Sequence, residues 1–485
     1  MTGSLAPYPA DFGLELDGGV RCPSPGVLIG GSPLRVMRLT TTGSGLVDSW
    51  EEGSPVGPGR AEQQLARRLV DAGVAHPRPP AAVIDGVDVA IVIPVRDDRS
   101  GLESTLASLS AHAYAGSEIV VVDDGSLHPA RAGSAQLVRQ ETPRGPAAAR
   151  NTGWRSVGAD YIVFLDAGCV ASPGWLDTIL AHLGDPAVAA VAPRIRATHG
   201  TGRTARYEQR RSPLDMGPRR AQVRPGGAVP YVPTACLAIR RHVLERCGGF
   251  DEDLRYGEDV DLVWRLEGAG CVVRYEPAAI VSHPSRSGTA AWLRQRFHYG
   301  TSAADLAERH GTRVAPLAVS PWSAAVWALV AGGRPLAGAA VAAGTTAAVA
   351  RRAGGDAATT RSVARFAALG NLRAGAWIAT AVRRAWLPLL VAAMVVPVRR
   401  WRRRGAISLA ACFALPALEW WGERPAVDPL TWVLLRWADD LAYQTGLWVG
   451  ITRRRSLRSL RPRWSGVAKA QSPAASSSSD SPVSR

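Results

Sequence analysis

The sequence predicts an α/β protein whose central domain contains a mostly parallel β-sheet, flanked by a small N-terminal α+β module and a helical C-terminal region. Three observations support this fold class. Short all-apolar segments, "VAIVIPV", "EIVVVDD" and "YIVFLD", alternate with helical patterns between residues 87 and about 311, as in a Rossmann-like sheet covered on both faces. A chain of 485 residues is too long for one core and favours several folded units. From Val314 onward the composition turns to Ala, Val, Leu and Trp with clusters of arginine.

The first 78 residues predict a folded unit of their own. They combine short apolar runs, "GVLIGGSPLRVMRLT", with the helical pattern "AEQQLARRLVDAGV", which Gly73 can end. The segment "HPRPPA" that follows is rich in proline and predicts a stiff linker. We therefore assign residues 1–78 to a small α+β module and residues 79–312 to the α/β domain.

The charge and the cysteines exclude several classes of protein. The net charge of +16 is carried almost entirely by arginine, since Lys469 is the only lysine. The arginines concentrate beside apolar segments that contain tryptophan and no RNA or DNA motif accompanies them, so the charge does not indicate nucleic-acid binding. The six cysteines lie far apart without CxxC pairs, so neither a zinc site nor a disulfide framework is indicated. The N-terminus lacks the pattern of a signal peptide, and we expect a cytoplasmic location.

Residues 313–464 predict a helical region that associates with a membrane. The uncharged run Val314–Gly333 has twenty residues, about the length needed to cross a bilayer, although it contains two prolines. Two shorter runs, "AWLPLLVAAMVVPV" and "AISLAACFALPALEWW", lie on either side of "RRWRRR", a pattern typical of interfacial helices at an anionic cytoplasmic leaflet. Peripheral and multi-pass attachment both stay open, as does a helical domain packed on the α/β core. The serine-rich residues 465–485 predict a disordered tail.

Acidic residues follow the predicted strands of the α/β domain. Asp97 comes after the first strand, Asp123 and Asp124 end the second, and Asp166 ends the third. In an open α/β sheet, ligands bind beyond the carboxyl ends of the strands, so we expect these carboxylates to converge there. A helix N-cap would explain Asp97 alone. It would not explain the whole set.

Around these residues the chain resembles the family 2 glycosyltransferases with the GT-A fold. The matching segments occur in order: "VIPVRDD", "IVVVDDGS", "RGPAAARNTG", "FLDAGC", "GGFDEDLRYGEDVDLVWRL" and "VSH". The resemblance implies a UDP-sugar donor, with the uracil N3–H bound by Asp124 or Asp123. The arginine of "AARNTG" is Arg150. The alternative to its role near the nucleotide is an ordinary surface cation. The implied nucleotide-sugar contacts are Pro94, Arg96, Asp97, Asp123, Asp124, Arg150, Asn151 and Asp166.

The same resemblance implies a site for Mg2+ or Mn2+. Relatives carry an Asp-x-Asp motif at the third strand end, and this chain keeps Asp166 but has Gly168 in the second position. A later histidine often completes the site in relatives, and His283 occupies that place. We expect Asp166, His283, two diphosphate oxygens and water to hold the ion. Cys169 is a poor ligand for a hard cation and is expected to be a buried structural residue.

The resemblance places the catalytic base in "GEDVDL". Inverting glycosyl transfer needs one base aligned on the acceptor hydroxyl, and we choose Asp259 with Glu258 as support. For Asp261, two positions after Asp259, helix capping and contact with the acceptor both stay open. Trp264 and Trp292 could stack on a sugar or fill the core, and the core is preferred for Trp264. The implied acceptor contacts are Gly249, Phe250, Asp251 and Asp261.

The order of the regions along the whole chain resembles that of one group within the family 2 glycosyltransferases. Residues 1–78 are similar to small winged-helix peptide-recognition modules, and with the basic apolar C-terminal region they resemble the family 2 glycosyltransferases of the mycofactocin system. The implied reaction moves glucose from a UDP-sugar onto a peptide-derived redox-cofactor precursor and adds further β-linked glucoses. A family 2 enzyme with a lipid or cell-wall acceptor is the first alternative. A sugar-nucleotide-binding protein without turnover, suggested by Gly168, is the second.

Overall fold

The computed structural model describes residues 6–80, 87–112, 117–198, 200–285, 288–395 and 398–465. Nearly all of the tail that the sequence predicts to be disordered, from residue 466 onward, lies outside the described residues.

The N-terminal segment forms a compact α+β unit around its own apolar core. Tyr8, Trp50 and Leu69 are among the buried residues of this core. β1 pairs with β5 in an antiparallel ribbon, and β2, β3 and β4 form a separate antiparallel sheet. The elements are β1 (Gly13–Leu16), β2 (Arg21–Ser24), β3 (Val27–Gly30), β4 (Arg35–Arg38), α1 (Thr41–Glu51), α2 (Arg60–Asp71) and β5 (Ala75–Arg78).

The central domain contains a nine-stranded sheet with helices on both faces. Its elements are β6 (Val89–Val95), α3 (Arg99–His112), β7 (Glu118–Asp124), β8 (Gln136–Gln140), α4 (Pro146–Arg155), β9 (Tyr161–Leu165), β10 (Val170–Ala171), α5 (Trp175–Ala181), β11 (Val188–Ala197), α6 (Arg203–Arg211), β12 (Ala221–Gln222), β13 (Cys236–Arg240), α7 (Arg241–Arg246), α8 (Glu258–Gly268), β14 (Val272–His283) and α9 (Thr289–His310).

The sheet is mostly parallel, which confirms the predicted fold class. The strand order is β10-β14-β11-β13-β9-β6-β7-β8, and β12 pairs with β14. β8, β7, β6, β9, β11 and β14 run in one direction, and β13 lies antiparallel between β9 and β11. Along β6, Ala90 and Val92 pack on one face while Ile91 and Ile93 pack on the other. Both faces are therefore buried, which explains the uninterrupted apolar runs of these strands.

The C-terminal region is helical, but its helices do not follow the predicted membrane segments. The run Val314–Gly333 is divided between a 3-10 turn, a short strand and an eleven-residue helix, so it does not form one helix of spanning length. Pro321 occupies the first turn of that helix, where proline is favoured, and Ser320 is its N-cap. The elements are β15 (Ala318–Val319), α10 (Pro321–Ala331), α11 (Pro335–Ala353), α12 (Ala357–Ala381), a π-helical turn (Val382–Trp386), α13 (Leu387–Met394), α14 (Arg399–Glu423), α15 (Pro429–Arg454) and β16 (Arg463–Trp464).

One helix of this region merges two predicted segments. α14 contains both "RRWRRR" and the apolar run that follows it, and in the described part of the chain it is the one helix long and apolar enough to cross a bilayer. A single helix of this kind is weak evidence for a span and does not support multi-pass attachment. Its outer surface is nevertheless apolar: Ile407, Leu418 and Trp421 are all more than half exposed.

The helical region is joined to the central domain by close backbone contact. A Cβ atom at Gly300 of α9 would lie 1.9 Å from the Tyr443 carbonyl oxygen, and one at Gly446 of α15 would lie 1.9 Å from the Phe297 carbonyl oxygen. Glycine at both positions lets the axes of α9 and α15 approach where any side chain would separate them. Beside this crossing, the buried guanidinium of Arg296 bonds with a carboxylate of α6 and pairs with another on α15.

The N-terminal module contacts both other regions. On the central domain, Arg67 of α2 donates two hydrogen bonds of 2.8 Å to the carboxylate of Asp185, and both side chains are buried. On the helical region, the Ser24 hydroxyl lies 2.9 Å from that of Thr359, and Arg38 bonds the Ala353 carbonyl. The module is thus fixed against its neighbours by directional polar contacts.

Candidate active site

The two carboxylates at the end of β7 hold the backbone in place. Asp123 is fully buried and accepts hydrogen bonds from the Ser126 and Ala130 N–H groups and from Arg139. Asp124 accepts from the N–H groups of residues 144 and 145, at 2.6 and 2.9 Å, just before α4. Both carboxylates shape the loops at the sheet edge. The assignment of the uracil contact to Asp124 or Asp123 stays a prediction, and Asp123 is the more enclosed of the two.

The loop after β6 presents more accessible groups at the same edge. The Asp97 carboxylate is 41% exposed and accepts a hydrogen bond from the Leu127 N–H at 2.8 Å. Arg96 is 54% exposed and lies 3.7 Å from that carboxylate. Pro94 is half-buried near the end of β6. Asp97 has φ of +52°, a left-handed conformation that Asp tolerates better than most residues. These side chains remain free to contact a ligand beyond the sheet.

Arg150 connects the two halves of the candidate site. It is buried on α4, and its guanidinium donates to Asp166 at 2.6 Å and to Glu258 at 3.0 Å. Burial alone would lower the pKa of Arg150, but the two carboxylates raise it overall. The same guanidinium lies 5.5 Å from the centre of the Phe250 ring. Arg150 is therefore not a surface cation, and it ties the end of β9 to the start of α8.

Asp259 stays the predicted base, and its surroundings favour the protonated carboxyl group. It lies in the first turn of α8, next to Glu258, and it is half-buried. Burial, followed by the neighbouring Glu258 carboxylate, raises the pKa of Asp259 to about 7, although Arg150 and the Val260 N–H oppose the shift. A carboxylate with a pKa near neutrality takes a proton more readily than an ordinary aspartate.

The predicted acceptor loop is folded back onto α4. The Asn151 amide donates to the Phe250 carbonyl at 2.8 Å and to Glu252 at 2.9 Å, and its oxygen accepts from the Phe250 N–H. Gly249 has φ of +75°, and a Cβ atom there would lie 2.5 Å from Asn151 Oδ1. The side chain of Asn151 is thus occupied in holding the loop, and its contact with the nucleotide stays a prediction.

Of the four predicted acceptor contacts, Gly249, Phe250 and Asp261 are buried and Asp251 is partly exposed. Phe250 is 3% exposed and its ring packs edge-on against Phe164, and its contact with the acceptor stays a prediction. Asp261 is 1% exposed, and its carboxylate accepts from Arg265 at 2.7 Å and lies 2.8 Å from His310 Nε2. These bonds favour a role in supporting the helix, and contact with the acceptor stays a prediction. Asp251 is partly exposed and pairs with Arg309.

The tryptophans named from the sequence belong to the core. Trp264 is 5% exposed, and its indole N–H donates to the Pro230 carbonyl. Trp292 is fully buried and packs edge-on against Tyr207. Neither indole is accessible for stacking on a sugar.

The predicted cation site contains few preformed ligands. No group of three His, Cys, Asp or Glu side chains positioned to hold a metal occurs in the described ranges. Asp166 is partly exposed, and Oδ1 accepts from Arg150. His283 lines a small cavity, and its Nδ1 lies 2.8 Å from the Pro284 carbonyl oxygen. Because Mg2+ is commonly held by one or two carboxylates and substrate phosphates, the donor set fits a cation that arrives with a nucleotide. That Asp166 and His283 share it stays a prediction.

The sequence does not predict a cluster of Tyr231, Arg384 and Tyr443, of which the last two belong to the C-terminal helical region. Burial raises the pKa of Tyr231 to about 12, with Asp259 adding to the shift and Arg384 opposing it. Arg384 belongs to the π-helical turn, and its guanidinium lies 4.1 Å from the centre of the Tyr443 ring. π-helical turns often occur at functional sites. No local signal in the sequence connects these residues with "GEDVDL", because only the tertiary fold brings them together.

Comparisons with known proteins show which family the chain is similar to. The model of the family described as Glycosyl transferase family 2 matches residues 90–248. The chain is 38% identical over 474 residues to the pre-mycofactocin glycosyltransferase of Mycobacterium tuberculosis, which covers 94% of this chain and 98% of the relative. It is 27% identical over 229 residues to the glycosyltransferase AglE of Haloferax volcanii, covering 44% of this chain and 71% of that one. The solved mannosyltransferase PcManGT from Pyrobaculum calidifontis, in complex with GDP-Man and Mn2+, aligns over 74% of this chain and 87% of its own with 18% identity and a TM-score of 0.42.

Proposed function

Because this chain belongs to the family 2 glycosyltransferases and is similar over nearly its whole length to a pre-mycofactocin glycosyltransferase, we propose that it acts in mycofactocin biosynthesis. In this proposal it moves glucose from UDP-glucose, with inversion, onto the peptide-derived mycofactocin precursor and extends a β-linked oligosaccharide there. The N-terminal module recognises the peptide-derived part of the acceptor.

The contact that carries the proposal is the bridge made by Arg150. It bonds Asp166 at the donor edge of the sheet and Glu258 at the start of α8, immediately before Asp259. A single guanidinium therefore fixes the predicted nucleotide-sugar edge relative to the predicted base. Positioning of this kind supplies much of the rate gain in a reaction between two bound substrates.

The proposed step needs one base and a leaving diphosphate. Asp259 takes the proton from the acceptor hydroxyl as that oxygen forms a bond to the anomeric carbon of the donor sugar. The bond from that carbon to the diphosphate oxygen breaks on the opposite face, so the configuration inverts and UDP leaves. Arg96 and Asp97 contact the nucleotide, and Asp251 contacts the acceptor. A Mg2+ or Mn2+ ion held at Asp166, with His283, would neutralise charge on the leaving diphosphate.

We expect kcat/KM to depend on pH through Asp259. The base must be ionised, and because the pKa of Asp259 is raised to about 7, activity should fall as the pH decreases through that value, by about tenfold per unit in the acid limit. Glu258→Gln removes a neighbouring charge that raises the pKa, so the acid limb should move to lower pH. Initial rates from pH 5.5 to 9, with tryptophan fluorescence to verify folding, measure this. A flat profile over that range would exclude Asp259 as the titrating base.

The experiment that tests the function is transfer by the purified full-length protein. It is incubated with UDP-glucose and the reduced mycofactocin precursor, with Mn2+ or with EDTA, and products are analysed by mass spectrometry. We expect successive additions of one hexose, absent from the Asp259→Asn variant. Protein that binds UDP but adds no hexose would refute this acceptor and favour the lipid or cell-wall alternative, which the exposed apolar surface of α14 also suits.

We further propose that the C-terminal helices bind the anionic cytoplasmic face of the membrane peripherally. Trp401 and Trp421 of α14 are 51% and 68% exposed, and the first turns of that helix carry five arginines. We expect co-sedimentation with vesicles containing anionic lipid, weakened by salt and by replacement of both tryptophans with alanine. Trp464→Ala, also at an exposed tryptophan, is the matched control. Equal recovery with neutral and anionic vesicles would contradict the proposal.

A further inference from the structure

We infer that Arg384, in the π-helical turn of the C-terminal region, binds the acceptor beside Asp259 by donating hydrogen bonds to one of its hydroxyl or carbonyl oxygens. The inference rests on the proposed function, because it concerns the acceptor of the proposed transfer. It assigns an acceptor contact to a residue outside residues 79–312, the range that contains the glycosyltransferase motifs.

The first observation is that the hydrogen-bond donors of Arg384 are uncommitted. The neighbouring guanidinium of Arg383 is fully buried and donates to Asp440 at 2.7 Å and to the Cys412 carbonyl. The side chain of Arg384 is 33% exposed, makes no hydrogen bond with any residue that the structure describes, and lies 3.7 Å from the same aspartate. Since an arginine carries five N–H donors, those of Arg384 are available to a ligand.

The second observation is that the fold nevertheless holds this guanidinium in position. It lies 4.1 Å from the centre of the Tyr443 ring on α15, a cation–π contact. The adjacent Ala385 is fully buried in an apolar cluster that includes Ala303 of α9 and Leu447 of α15. The side chain is therefore positioned without using its donors, so little further ordering is needed when a ligand binds.

The third observation is the position of this turn next to the predicted base. Gly257 directly precedes α8, and a Cβ atom there would lie 3.3 Å from the Cβ atom of Ser302. The next residue of α9, Ala303, packs in the same apolar cluster as Ala385. Two consecutive residues of α9 therefore connect the start of α8, where Asp259 lies, with the π-helical turn.

The phenol of Tyr231 lies near both charged groups. Burial, and then the Asp259 carboxylate, raise the pKa of Tyr231 to about 12, while the Arg384 guanidinium opposes the shift. Tyr231, Asp259, Arg384 and Tyr443 are each only partly buried, although they come from the central domain and the helical region. Partly exposed polar side chains contributed by two regions indicate an open crevice between those regions.

The acceptor is the substrate that this crevice suits. The proposed donor contacts lie at the ends of β6, β7 and β9, and Arg150 joins that edge to Glu258. The acceptor hydroxyl must reach Asp259 while the rest of the acceptor extends beyond it, and the crevice lined by Tyr231 and Arg384 opens beside that residue. Guanidinium donors and phenol rings suit the oxygens and the ring faces of an acceptor sugar.

The test compares the acceptor and donor kinetics of Arg384→Met in the full-length protein. Methionine retains most of the aliphatic length and removes every donor. With UDP-glucose and the reduced mycofactocin precursor, we expect the KM for the acceptor to rise by about tenfold or more, the factor that follows loss of a hydrogen bond from a charged donor. The KM for UDP-glucose and the Kd for UDP should be unchanged.

Two further variants separate binding from folding. Arg384→Lys retains the charge but not the planar set of donors, so its acceptor KM should lie between those of the wild type and Arg384→Met. Arg373→Met, at an exposed arginine of α12, is the matched control and should retain both KM values. Melting temperatures verify that each variant folds. A wild-type acceptor KM in Arg384→Met would overturn the inference.

The outcomes also distinguish this inference from the proposed function. If the wild type transfers hexose to the precursor, and Arg384→Met loses UDP affinity while its acceptor KM is unchanged, the function stands and the inference is wrong. If the wild type binds UDP but transfers no hexose to the precursor, the proposed acceptor is wrong. Calorimetric titration with methyl β-glucoside in the presence of UDP then tests Arg384 alone: weaker binding by Arg384→Met supports the inference, and equal binding overturns it.

Discussion

Asp259→Asn is expected to lower kcat for hexose transfer by roughly three orders of magnitude, because the amide cannot take the proton from the acceptor hydroxyl. UDP binding should survive, since the donor contacts proposed at the ends of β6, β7 and β9 do not include residue 259. The neutral amide also removes a carboxylate whose ionisation is disfavoured by burial and by Glu258. The variant should therefore be at least as stable as the wild type at pH 8.

Single-turnover transfer, calorimetric titration with UDP and thermal unfolding measure these three consequences. Asp253→Asn is the matched control, because Asp253 is an exposed aspartate of the loop that precedes α8. It should retain wild-type turnover. Residual activity within tenfold of the wild type in Asp259→Asn would assign the proton transfer to another group.

Arg150→Met is expected to have the second largest effect, on stability as well as on activity. It leaves Asp166 and Glu258 without the guanidinium that they share, and loss of one partner from a buried ion pair typically costs about 3–5 kcal/mol. Repulsion among Asp166, Glu258 and Asp259 would then move the start of α8. A displacement of this kind can reduce the rate by about a hundredfold.

Denaturant unfolding and transfer kinetics quantify the two effects. Arg155→Met is a suitable control, because Arg155 lies on the same helix, is 52% exposed and is 3.7 Å from its acidic partner. Its free energy of unfolding should change by less than about 0.5 kcal/mol. If Arg150→Met unfolds at the same denaturant concentration as Arg155→Met, the bridge does not organise the site.

Much of the fold follows from patterns that the sequence displays. The strands of the central sheet are apolar on both faces, so their alternation with helices predicts a buried parallel sheet. The helices of the C-terminal region were harder to predict, because hydropathy alone does not show where a helix begins. Pro316 and Pro321 were the available signal: the helix starts only at Pro321, with Ser320 as its cap.

The site was less predictable than the fold, for a physical reason. Motif order brings Asp97, Asp124, Asp166 and Asp259 to one edge of the sheet, and the structure places all four there or in the adjoining helix. Which side chains remain accessible depends on loops folding over one another. The burial of Phe250 and the full engagement of Asn151 arise from the acceptor loop packing on α4, a contact between segments about a hundred residues apart that no local pattern reveals.

The glycine contact between α9 and α15 sets a condition on how this enzyme could be recombined with its relatives. Gly300 and Gly446 each meet a carbonyl of the opposite helix, so a helical region taken from another glycosyltransferase would collide with α9 unless the facing helix came with it. A chimaera should therefore be joined before residue 289, where α9 begins, and not at residue 313, where the composition changes. The change in composition at residue 313 therefore comes about one helix after residue 289, where the two parts could be exchanged.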